Sequence, residues 1–464
     1  MSQSLPDIEL LSEVPSPTSA HARTAPLHHR SVYIETYGCQ MNVADTEVVA
    51  SILSDAGYRI VDGPEDANVI LVNTCAVREN AEERVIGRVG QLHGLRRTRP
   101  DLTIGVLGCM AQHLTDTLPA RASFVDLIAG PDAYQRLPEL LAQTADETLL
   151  DTRLSRTENY VGIDPVRTEG TNAWVTIIRG CDKFCTFCVV PYVRGRERSV
   201  PSDEILRQVR ELAESGFREV TLLGQTVNSY DDGQQSFAQL LDEVAQIDGI
   251  RRIRFTSPYP ADFNDETIEA MGRLPQVCPS LHLPVQSGSD PQLEAMRRGY
   301  SIGEYRQLVQ RLRTEIPDLV ITTDIIVGFC GESDDDFRQT VELMQEVRFD
   351  SAFMFRYSER SGTFAHKGMA DDVPDDVKGA RLQQIIEMQE SISRETNQAW
   401  VGRTVEVLVE GRSRRPDADG QPTYFGRSPQ GKVTILSDPV EMNQLVQVKI
   451  ERTTSHTLYG ALQR

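Results

Sequence analysis

Short apolar runs and amphipathic stretches alternate along residues 31–145. Brief apolar runs bounded by turn residues are typical of buried strands, and a 3.6-residue apolar period is typical of helices. The predicted strands are Val32–Thr36, Val69–Asn73, Thr103–Leu107 and Phe124–Ala129. The predicted helices include Ala44–Ala56, Arg78–Leu92 and Ala133–Leu141. Because strands and helices alternate, we predict an open parallel sheet with helices on both faces.

The same alternation resumes over residues 171–400 and predicts a second α/β domain. The predicted strands are Ala173–Ile178, Glu219–Leu223, Ile253–Thr256, Ser280–Leu283, Val320–Ile326 and Ser351–Phe355. The helical patterns include Ser202–Ser215, Phe237–Gln246, Asp265–Gly272, Ile302–Thr314, Asp335–Val347 and a long closing stretch, Asp375–Trp400. Six strand–helix units predict a partial (β/α)6 barrel, related to the complete eight-unit form.

Residues 401–464 have a different pattern, with alternating or β-branched runs separated by Gly, Pro and Asp. The predicted strands are Thr404–Val409, Gly431–Leu436 and Leu445–Ile450. This pattern predicts a small antiparallel β-barrel. Residues 1–30 and 146–170 show no periodicity, so we expect a disordered leader and a linker there.

Apolar content and charge argue against a membrane protein, a secreted protein and a strongly basic nucleic-acid-binding protein. Among the 464 residues no apolar run is long enough to span a bilayer, and the N-terminus lacks a secretory pattern. We therefore expect a cytoplasmic protein with no membrane partner. We also expect a monomer, although no feature of the sequence determines the oligomeric state. The formal net charge of −20 argues against nucleic-acid binding, because phosphate contacts supply most non-specific affinity. That argument fails if basic residues gather on one face.

The strongest chemical signal is a loop with three cysteines, Cys181, Cys185 and Cys188, directly after a predicted strand. In a cytoplasmic chain of this size, metal or redox use is a better default than disulfides. Three thiolates on one loop can hold three irons of a four-iron cluster and leave the fourth open to a small chelating molecule. A zinc site is a weaker alternative, because no fourth ligand is nearby.

A second set of cysteines is found by topology. Cys39, Cys75 and Cys109 each follow a predicted strand of the first domain by two or three residues. Since the carboxyl ends of parallel strands share one edge, we expect the three thiols to converge and to hold a second cluster. The alternative is that they are buried structural thiols. Cys278 and Cys330 follow neither pattern and are interpreted as ordinary thiols.

Besides the CxxxCxxC loop, the chain contains five distinctive stretches: Tyr37-Gly38-Cys39-Gln40-Met41-Asn42, Asn73-Thr74-Cys75-Ala76-Val77-Arg78, Gly108-Cys109-Met110-Ala111, His282-Leu283-Pro284-Val285-Gln286-Ser287-Gly288-Ser289 and Thr323-Asp324-Ile325-Ile326-Val327-Gly328-Phe329. Together with the loop they resemble the methylthiotransferase family of radical S-adenosylmethionine (SAM) enzymes. The resemblance implies a cluster domain, a radical SAM barrel and a terminal barrel called TRAM. It also implies two 4Fe–4S clusters and SAM, with one SAM cleaved to a radical and another methylating sulfur at the first-domain cluster.

Three further stretches resemble the family branch that modifies isopentenylated adenosine at position 37 of tRNA, next to the anticodon. They are Gly38-Cys39-Gln40-Met41-Asn42, Val189-Val190-Pro191-Tyr192-Val193-Arg194-Gly195-Arg196-Glu197 and Leu223-Gly224-Gln225-Thr226-Val227-Asn228-Ser229-Tyr230. Alternatives are methylthiolation of threonylcarbamoyladenosine in tRNA or of a ribosomal protein side chain. A non-enzymatic RNA-binding iron–sulfur sensor is a further alternative, although sensing needs no open iron. A methylthiotransferase activity also implies an electron donor and a sulfur source, and the sequence identifies neither of them.

Other candidate residues follow from position and resemblance. Gln225, Gln286 and Ser287 lie past strand ends on the functional rim, and the resemblance implies SAM contacts there. They are equally explained as polar residues that satisfy a turn. The candidates for RNA contact are Arg194, Arg196 and Arg198 after the cysteine loop, and Arg412, Arg414, Arg415, Tyr424 and Phe425 in the terminal barrel. A salt-bridged loop or core packing explains these residues as well.

Overall fold

The computed structural model describes residues 30–76, 79–144, 148–167, 170–414, 416 and 420–463. The predicted leader up to residue 29, parts of the predicted linker, and Arg415 lie outside the described residues. The described chain forms two compact units. The first comprises the residues up to 167 with Ile178–Asp182 and Val189–Glu204, and the second comprises residues 170–177, Lys183–Cys188 and residues 205–463.

The first unit is built on a parallel sheet. Its strands are β1 (Ser31–Thr36), β2 (Arg59–Ile60), β3 (Val69–Thr74), β4 (Thr103–Gly108), β5 (Leu127–Ala129) and β6 (Leu149–Asp151). The order is β2-β1-β3-β4-β5-β6, and every neighbouring pair is parallel. The predicted open parallel sheet is therefore confirmed. The edge strands β2 and β6 are too short to produce an alternating pattern, and β6 lies within the stretch predicted as a linker.

Helices cover both faces of this sheet. They are α1 (Gln40–Asp55), α2 (Glu79–His93), α3 (Cys109–His113), α4 (Leu118–Arg121) and α5 (Leu137–Gln143). Successive residues of β3 belong to different cores: Ile70 and Val72 pack in one, and Val69 and Leu71 in the other. Because both faces are buried, the central strands read as continuous apolar runs rather than as alternation.

After this sheet the chain forms β7 (Asn172–Thr176), β8 (Ile178–Arg179), α6 (Val190–Arg194), β9 (Arg198–Ser199) and α7 (Ser202–Glu214). Strands β8 and β9 pair antiparallel within the first unit. Strand β7 belongs to the second unit, where it pairs parallel with the next strand in sequence.

The second unit contains parallel strands arranged in two sheets. The further strands are β10 (Glu219–Leu223), β11 (Arg252–Phe255), β12 (Ser280–His282), β13 (Val320–Val327) and β14 (Ser351–Arg356). The sheet orders are β11-β10-β7 and β12-β13-β14. The intervening helices are α8 (Phe237–Ala245), α9 (Asp265–Arg273), α10 (Asp290–Ala295), α11 (Ile302–Glu315), α12 (Asp334–Val347), α13 (Phe364–Gly368) and α14 (Asp375–Gln398). Ser236, Ser301 and Ser333 begin α8, α11 and α12 with capping boxes, which is why these helices start where the sequence predicts.

The strand β13 shows which face of its sheet is covered. Ile321, Thr323 and Ile325 are fully buried, whereas Thr322 and Asp324, which point to the other face, are half-buried. Side chains along a strand alternate between faces, so one face of the sheet packs inside the unit and the other is partly open.

The C-terminal strands form a closed barrel. They are β15 (Thr404–Arg412), β16 (Tyr424–Arg427), β17 (Val433–Leu436), β18 (Leu445–Thr453) and β19 (Thr457–Leu462), in the order β15-β16-β17-β19-β18. The predicted small barrel is confirmed, and it closes through one parallel pair, β17 with β19. The sequence prediction omitted β16 and β19, where the apolar alternation is interrupted by Gly426 and Gly460. A Cβ at Gly426 would lie 2.1 Å from the carbonyl oxygen of Leu408, so only glycine fits there.

The terminal barrel packs on the amino end of the β12-β13-β14 sheet. Val320, the first residue of β13, belongs to the same apolar cluster as Trp400 and Val405. The guanidinium of Arg254 donates to the carbonyls of Ser428 (2.8 Å) and Pro429 (3.0 Å). Buried charge-assisted contacts of this kind fix the barrel to the strands rather than leaving it as a loosely tethered module. Each helix in the described part of the chain is too short or too polar to cross a lipid bilayer.

Candidate active site

The first unit brings its three cysteines to one edge of the sheet. Cys39 follows β1 and precedes α1, Cys75 follows β3, and Cys109 is the first residue of α3 after β4. These strands are neighbours, so their carboxyl ends meet. A hydrogen bond with the Cys75 thiol lowers the pKa of the Cys39 thiol to about 6, with a smaller contribution from Arg194. Burial raises the pKa of Cys109, while Arg194 opposes that rise.

Two glycines allow the cysteine turns to approach each other. Gly38 has φ +134°, and a Cβ there would lie 2.5 Å from the Cβ of Cys75. Gly108 has φ +89°, and a Cβ there would lie 2.4 Å from the side-chain oxygen of Asn73. Asn42 ties the turns together, since its Nδ2 donates to the carbonyl of Thr74 at 3.0 Å. The turns therefore require glycine for both backbone conformation and space.

A buried ion-pair network lies beneath these cysteines. Asp45 binds Arg179 at 3.0 Å and Arg194 at 2.8 Å, and all three side chains are almost fully buried. Burial would raise the pKa of Asp45, but the two guanidinium groups lower it overall. Nε of Arg194 also donates to Sγ of Cys109 at 3.1 Å. The network thus holds a fixed positive charge against one of the thiols.

One atom of this network bears on whether the residues fit an anionic cluster. Nη1 of Arg194 is buried and has no hydrogen-bond partner among the described residues. A buried donor without a partner is costly, and an anionic sulfur group would satisfy it. As placed, no three His, Cys, Asp or Glu side chains of the described residues are grouped to hold a single ion. Thiolates, a buried cation and a spare donor together fit an iron–sulfur cluster.

The structure corrects the hypothesis that Arg194, Arg196 and Arg198 form a phosphate-binding patch. Arg194 is buried against Asp45, and Arg198 is buried against Asp132 at 3.1 Å. Arg196 is exposed but paired with Asp182. Arg194 and Arg198 are committed to buried carboxylates and are not available to phosphates, so the salt-bridged interpretation is correct for these two residues. In the terminal barrel, Arg412 lies over the ring of Tyr424, which packs partly against the barrel core.

The CxxxCxxC loop has its own buried guanidinium. Nη1 of Arg298 donates to Sγ of Cys185 at 3.3 Å, and Nη2 donates to the carbonyl of Pro284 at 3.1 Å. The guanidinium lies over the rings of Tyr259 and Tyr300. Cation–aromatic contacts hold it in place, so a positive charge is fixed beside this thiol as well. The contact fits a loop that carries thiolates of an iron–sulfur cluster.

The second-unit part of this loop is held rigidly. The backbone N–H of Thr186 donates to the carbonyl of Met296 (3.1 Å), and its hydroxyl donates to that of Ala295 (2.9 Å). Phe187 packs edge-on against Phe329. Phe184 has φ +48°, an unfavourable conformation for a residue with a side chain, which the surrounding contacts must hold. The loop is therefore preorganised.

The predicted SAM contacts lie in distinct environments. Gln225 is half-buried just past β10. Gln286 has φ +72°, and its backbone bonds to Asp324 and Ile326 of β13 on either side. Ser287 is fully buried, with its hydroxyl 3.3 Å from that of Thr340 in α12. The two backbone hydrogen bonds to β13 hold Gln286 in its positive-φ conformation. The three SAM roles stay predictions.

Sequence reasoning missed Asp45, Arg179 and Arg298. A signal was available for Asp45, because it occupies a position of α1 that faces the sheet, where a carboxylate requires a cationic partner. No comparable signal existed for Arg179 or Arg298, since their partners are remote in sequence.

Comparisons with known protein families match three parts of the chain. The uncharacterized protein family UPF0004 matches residues 31–130, the Radical SAM superfamily matches residues 175–344, and the TRAM domain matches residues 398–462.

Relatives match over nearly the whole length. A tRNA-2-methylthio-N(6)-dimethylallyladenosine synthase of Porphyromonas gingivalis is 47% identical over 93% of this chain and 94% of its own. One of Chloroherpeton thalassium is 46% identical over 92% and 95%. The chain belongs to this synthase family. The family assignment made from sequence is thereby confirmed, and it implies an iron–sulfur cluster and SAM as cofactors.

Solved structures support the fold alone. The radical SAM methyltransferase TsrM of Kitasatospora setae superposes with a TM-score of 0.54 at 13% identity, covering 71% of this chain and 72% of that one. The cobalamin-dependent radical SAM enzyme OxsB superposes with a TM-score of 0.52 at 12% identity, over 79% and 62%.

We predict that Gly38→Ala separates the thiols of the first unit. The added Cβ collides with Cys75 and sits in an unfavourable backbone conformation, so the turn must shift. The variant should take up less iron on reconstitution, and its free energy of unfolding should fall by about 1–3 kcal/mol.

The matched control for Gly38→Ala is Gly87→Ala, in the interior of α2 with nothing within 4 Å of the added Cβ. This change should be neutral or slightly stabilising. Full iron uptake by Gly38→Ala would show that the turn does not position the cysteines.

Proposed function

We propose that this protein transfers a methylthio group to C2 of N6-dimethylallyladenosine at position 37 of tRNA. The observation that carries the proposal is full-length similarity, up to 47% identity, to relatives named for this reaction. The matches cover both cysteine sets and the terminal barrel, so every part needed for the reaction falls inside the related region. The site and the fold are consistent with this activity, and we propose that the protein acts in the cytoplasm.

We assign two 4Fe–4S clusters to the two cysteine sets. Cys181, Cys185 and Cys188 would hold the cluster that binds SAM, and Cys39, Cys75 and Cys109 would hold the other. Support for the second assignment comes from the convergence of the thiols at the sheet edge and the spare buried donor of Arg194. Fixed positive charge beside Cys109 and Cys185 stabilises thiolate ligands and the negative charge of a cluster.

The chemistry explains why such cofactors are needed. The hydrogen on C2 of adenine is not acidic, so a base cannot start the reaction. When bound, the SAM cluster supplies an electron that cleaves the sulfonium of SAM and gives a radical able to take that hydrogen. The protein's own task is to orient the reactants, and the rigid loop around Thr186 serves that task. We propose Gln225, Gln286 and Ser287 as the SAM contacts.

The partners follow from the same assignment. The tRNA is the substrate, and the terminal barrel is the expected RNA-binding module. The net charge of −20 means that RNA affinity must come from local surfaces rather than the overall field. The reductive cleavage of SAM requires an electron donor, and the added methylthio group requires a sulfur source. We propose that the enzyme acts as a monomer.

The two cysteine sets should be separable. Replacing Cys39, Cys75 and Cys109 together by Ala should remove about half of the bound iron but leave SAM cleavage measurable. Replacing Cys181, Cys185 and Cys188 should remove the other half and abolish SAM cleavage, because the iron that chelates SAM is lost. Iron analysis and deoxyadenosine assay of anaerobically reconstituted protein measure both. Full iron content in the first triple variant would refute the second cluster.

The substrate should be the isopentenylated base. Roughly five apolar carbons buried at about 0.8 kcal/mol each can separate isopentenylated from plain adenosine by several kcal/mol. We therefore expect 2-methylthio product from tRNA carrying the isopentenyl group and little from the same tRNA with adenosine. A paired assay with mass spectrometry of the nucleosides measures this. Equal turnover of both tRNAs, or turnover only of the threonylcarbamoyl form or of a ribosomal protein, would reject the assignment.

A further inference from the structure

The partly open face of the β12-β13-β14 sheet carries an unusual combination of side chains. His282 pairs in register with Thr322, and Asp324 pairs in register with Phe353. Thr322 and Asp324 are two residues apart on β13, so all four side chains lie on the same face. We call these four residues the sheet-face patch. The opposite face of the sheet is buried, so the patch is on the face that remains accessible.

The two ends of this face differ. At the amino end, Val320 is buried against the terminal barrel, and a Cβ on Gly431 would lie 3.0 Å from the hydroxyl of Ser280. Nothing comparable covers Phe353, whose side chain is 57% exposed, the highest value for a large apolar side chain among the described residues. A single exposed ring is not unusual by itself, but this ring lies beside oriented polar side chains, and that combination suits the binding of a flat, partly polar group.

The polar members of the patch are already oriented. Nε2 of His282 lies 3.3 Å from a carboxylate oxygen of Asp324, and its Nδ1 lies 2.9 Å from the hydroxyl of Thr322. The imidazole contacts the ring of Phe353 edge-on, with centroids 5.8 Å apart. His282 and Asp324 each remain more than a quarter exposed. The patch thus offers a flat aromatic surface beside a fixed acceptor and an imidazole.

Contacts within the second unit connect the patch to the cysteine loop. His282 ends β12, and Pro284 follows two residues later. The carbonyl of Pro284 accepts a hydrogen bond from Arg298, and the same guanidinium donates to Cys185. A group bound at the carboxyl end of β12 is therefore near the loop that carries the thiolates.

We propose that the sheet-face patch binds the adenine ring of the tRNA substrate, an inference that rests on the proposed function. A nucleobase in a single-stranded loop can stack on Phe353, while Asp324 and His282 hydrogen-bond to its edge. The apolar isopentenyl group can lie against the same ring. The occupant is the tRNA base rather than the adenine of SAM, because pockets for small cofactors bury about 70–90% of their ligand and have enclosing walls. A ring as open as Phe353 is suited to cover by a macromolecule.

The test compares Phe353→Ala with wild-type holoenzyme. Loss of one base-stacking platform should weaken binding of isopentenylated tRNA by about fivefold or more at fixed salt. Affinity for SAM and substrate-free SAM cleavage should be unchanged. Phe353→Tyr, which keeps the ring, should restore tRNA binding. The control is Phe364→Ala, which removes a similarly exposed ring that Arg297 already covers at 3.8 Å; its tRNA affinity should match wild type.

Three results would overturn the proposal: wild-type tRNA affinity in Phe353→Ala, equal weakening in Phe364→Ala, or a loss of SAM affinity in place of tRNA affinity. Failure of the proposed function is distinguishable, because it would appear as absence of methylthio product in the wild-type enzyme. The tRNA-binding comparison can be read independently of that product.

Discussion

Neighbouring parallel strands end at the same edge of a sheet, and the chemistry of the first unit depends on that constraint. Cys39, Cys75 and Cys109 are far apart in sequence, but β1, β3 and β4 are adjacent and deliver the three thiols to one place. Bringing the three turns this close together requires unusual backbone conformations and hydrogen bonds between the turns. Gly38 and Gly108 adopt backbone conformations that other residues disfavour, and Asn42 bonds across the turns. The three thiols lie close together at this edge because the strands are parallel and the turns that follow them are tight.

Buried arginines are the second recurring device. Arg194 donates to Cys109 and forms an ion pair with Asp45. Arg298 donates to Cys185 and lies over the rings of Tyr259 and Tyr300. A carboxylate or aromatic ring offsets the cost of burying the cation and leaves N–H groups directed at sulfur. Because these arginines are directed into the interior, they supply no phosphate contacts, and RNA affinity must come from other local surfaces.

Strands and helices could be predicted from the sequence where the apolar pattern extended over many residues and depended on neighbouring residues. The central strands and the capped helices α8, α11 and α12 appeared as predicted because burial and capping boxes act over a few residues. The short strands β2 and β6 and the glycine-containing strands β16 and β19 were missed, since pairing with distant strands alone defines them. The same limitation applies to Arg194. Its charge was visible in the sequence, but its buried partner, Asp45, lies 149 residues away, so a surface role was the wrong expectation.

The central claim is that this protein installs the methylthio group of an isopentenylated tRNA base. The most direct measurement is mass spectrometry of tRNA nucleosides from cells that lack the protein and from the same cells with it restored. In cells that lack the protein, we expect 2-methylthio-N6-dimethylallyladenosine to disappear and N6-dimethylallyladenosine to accumulate, and we expect restoration of the protein to reverse both changes. An unchanged level of the methylthiolated nucleoside in cells that lack the protein and possess no second copy would contradict it.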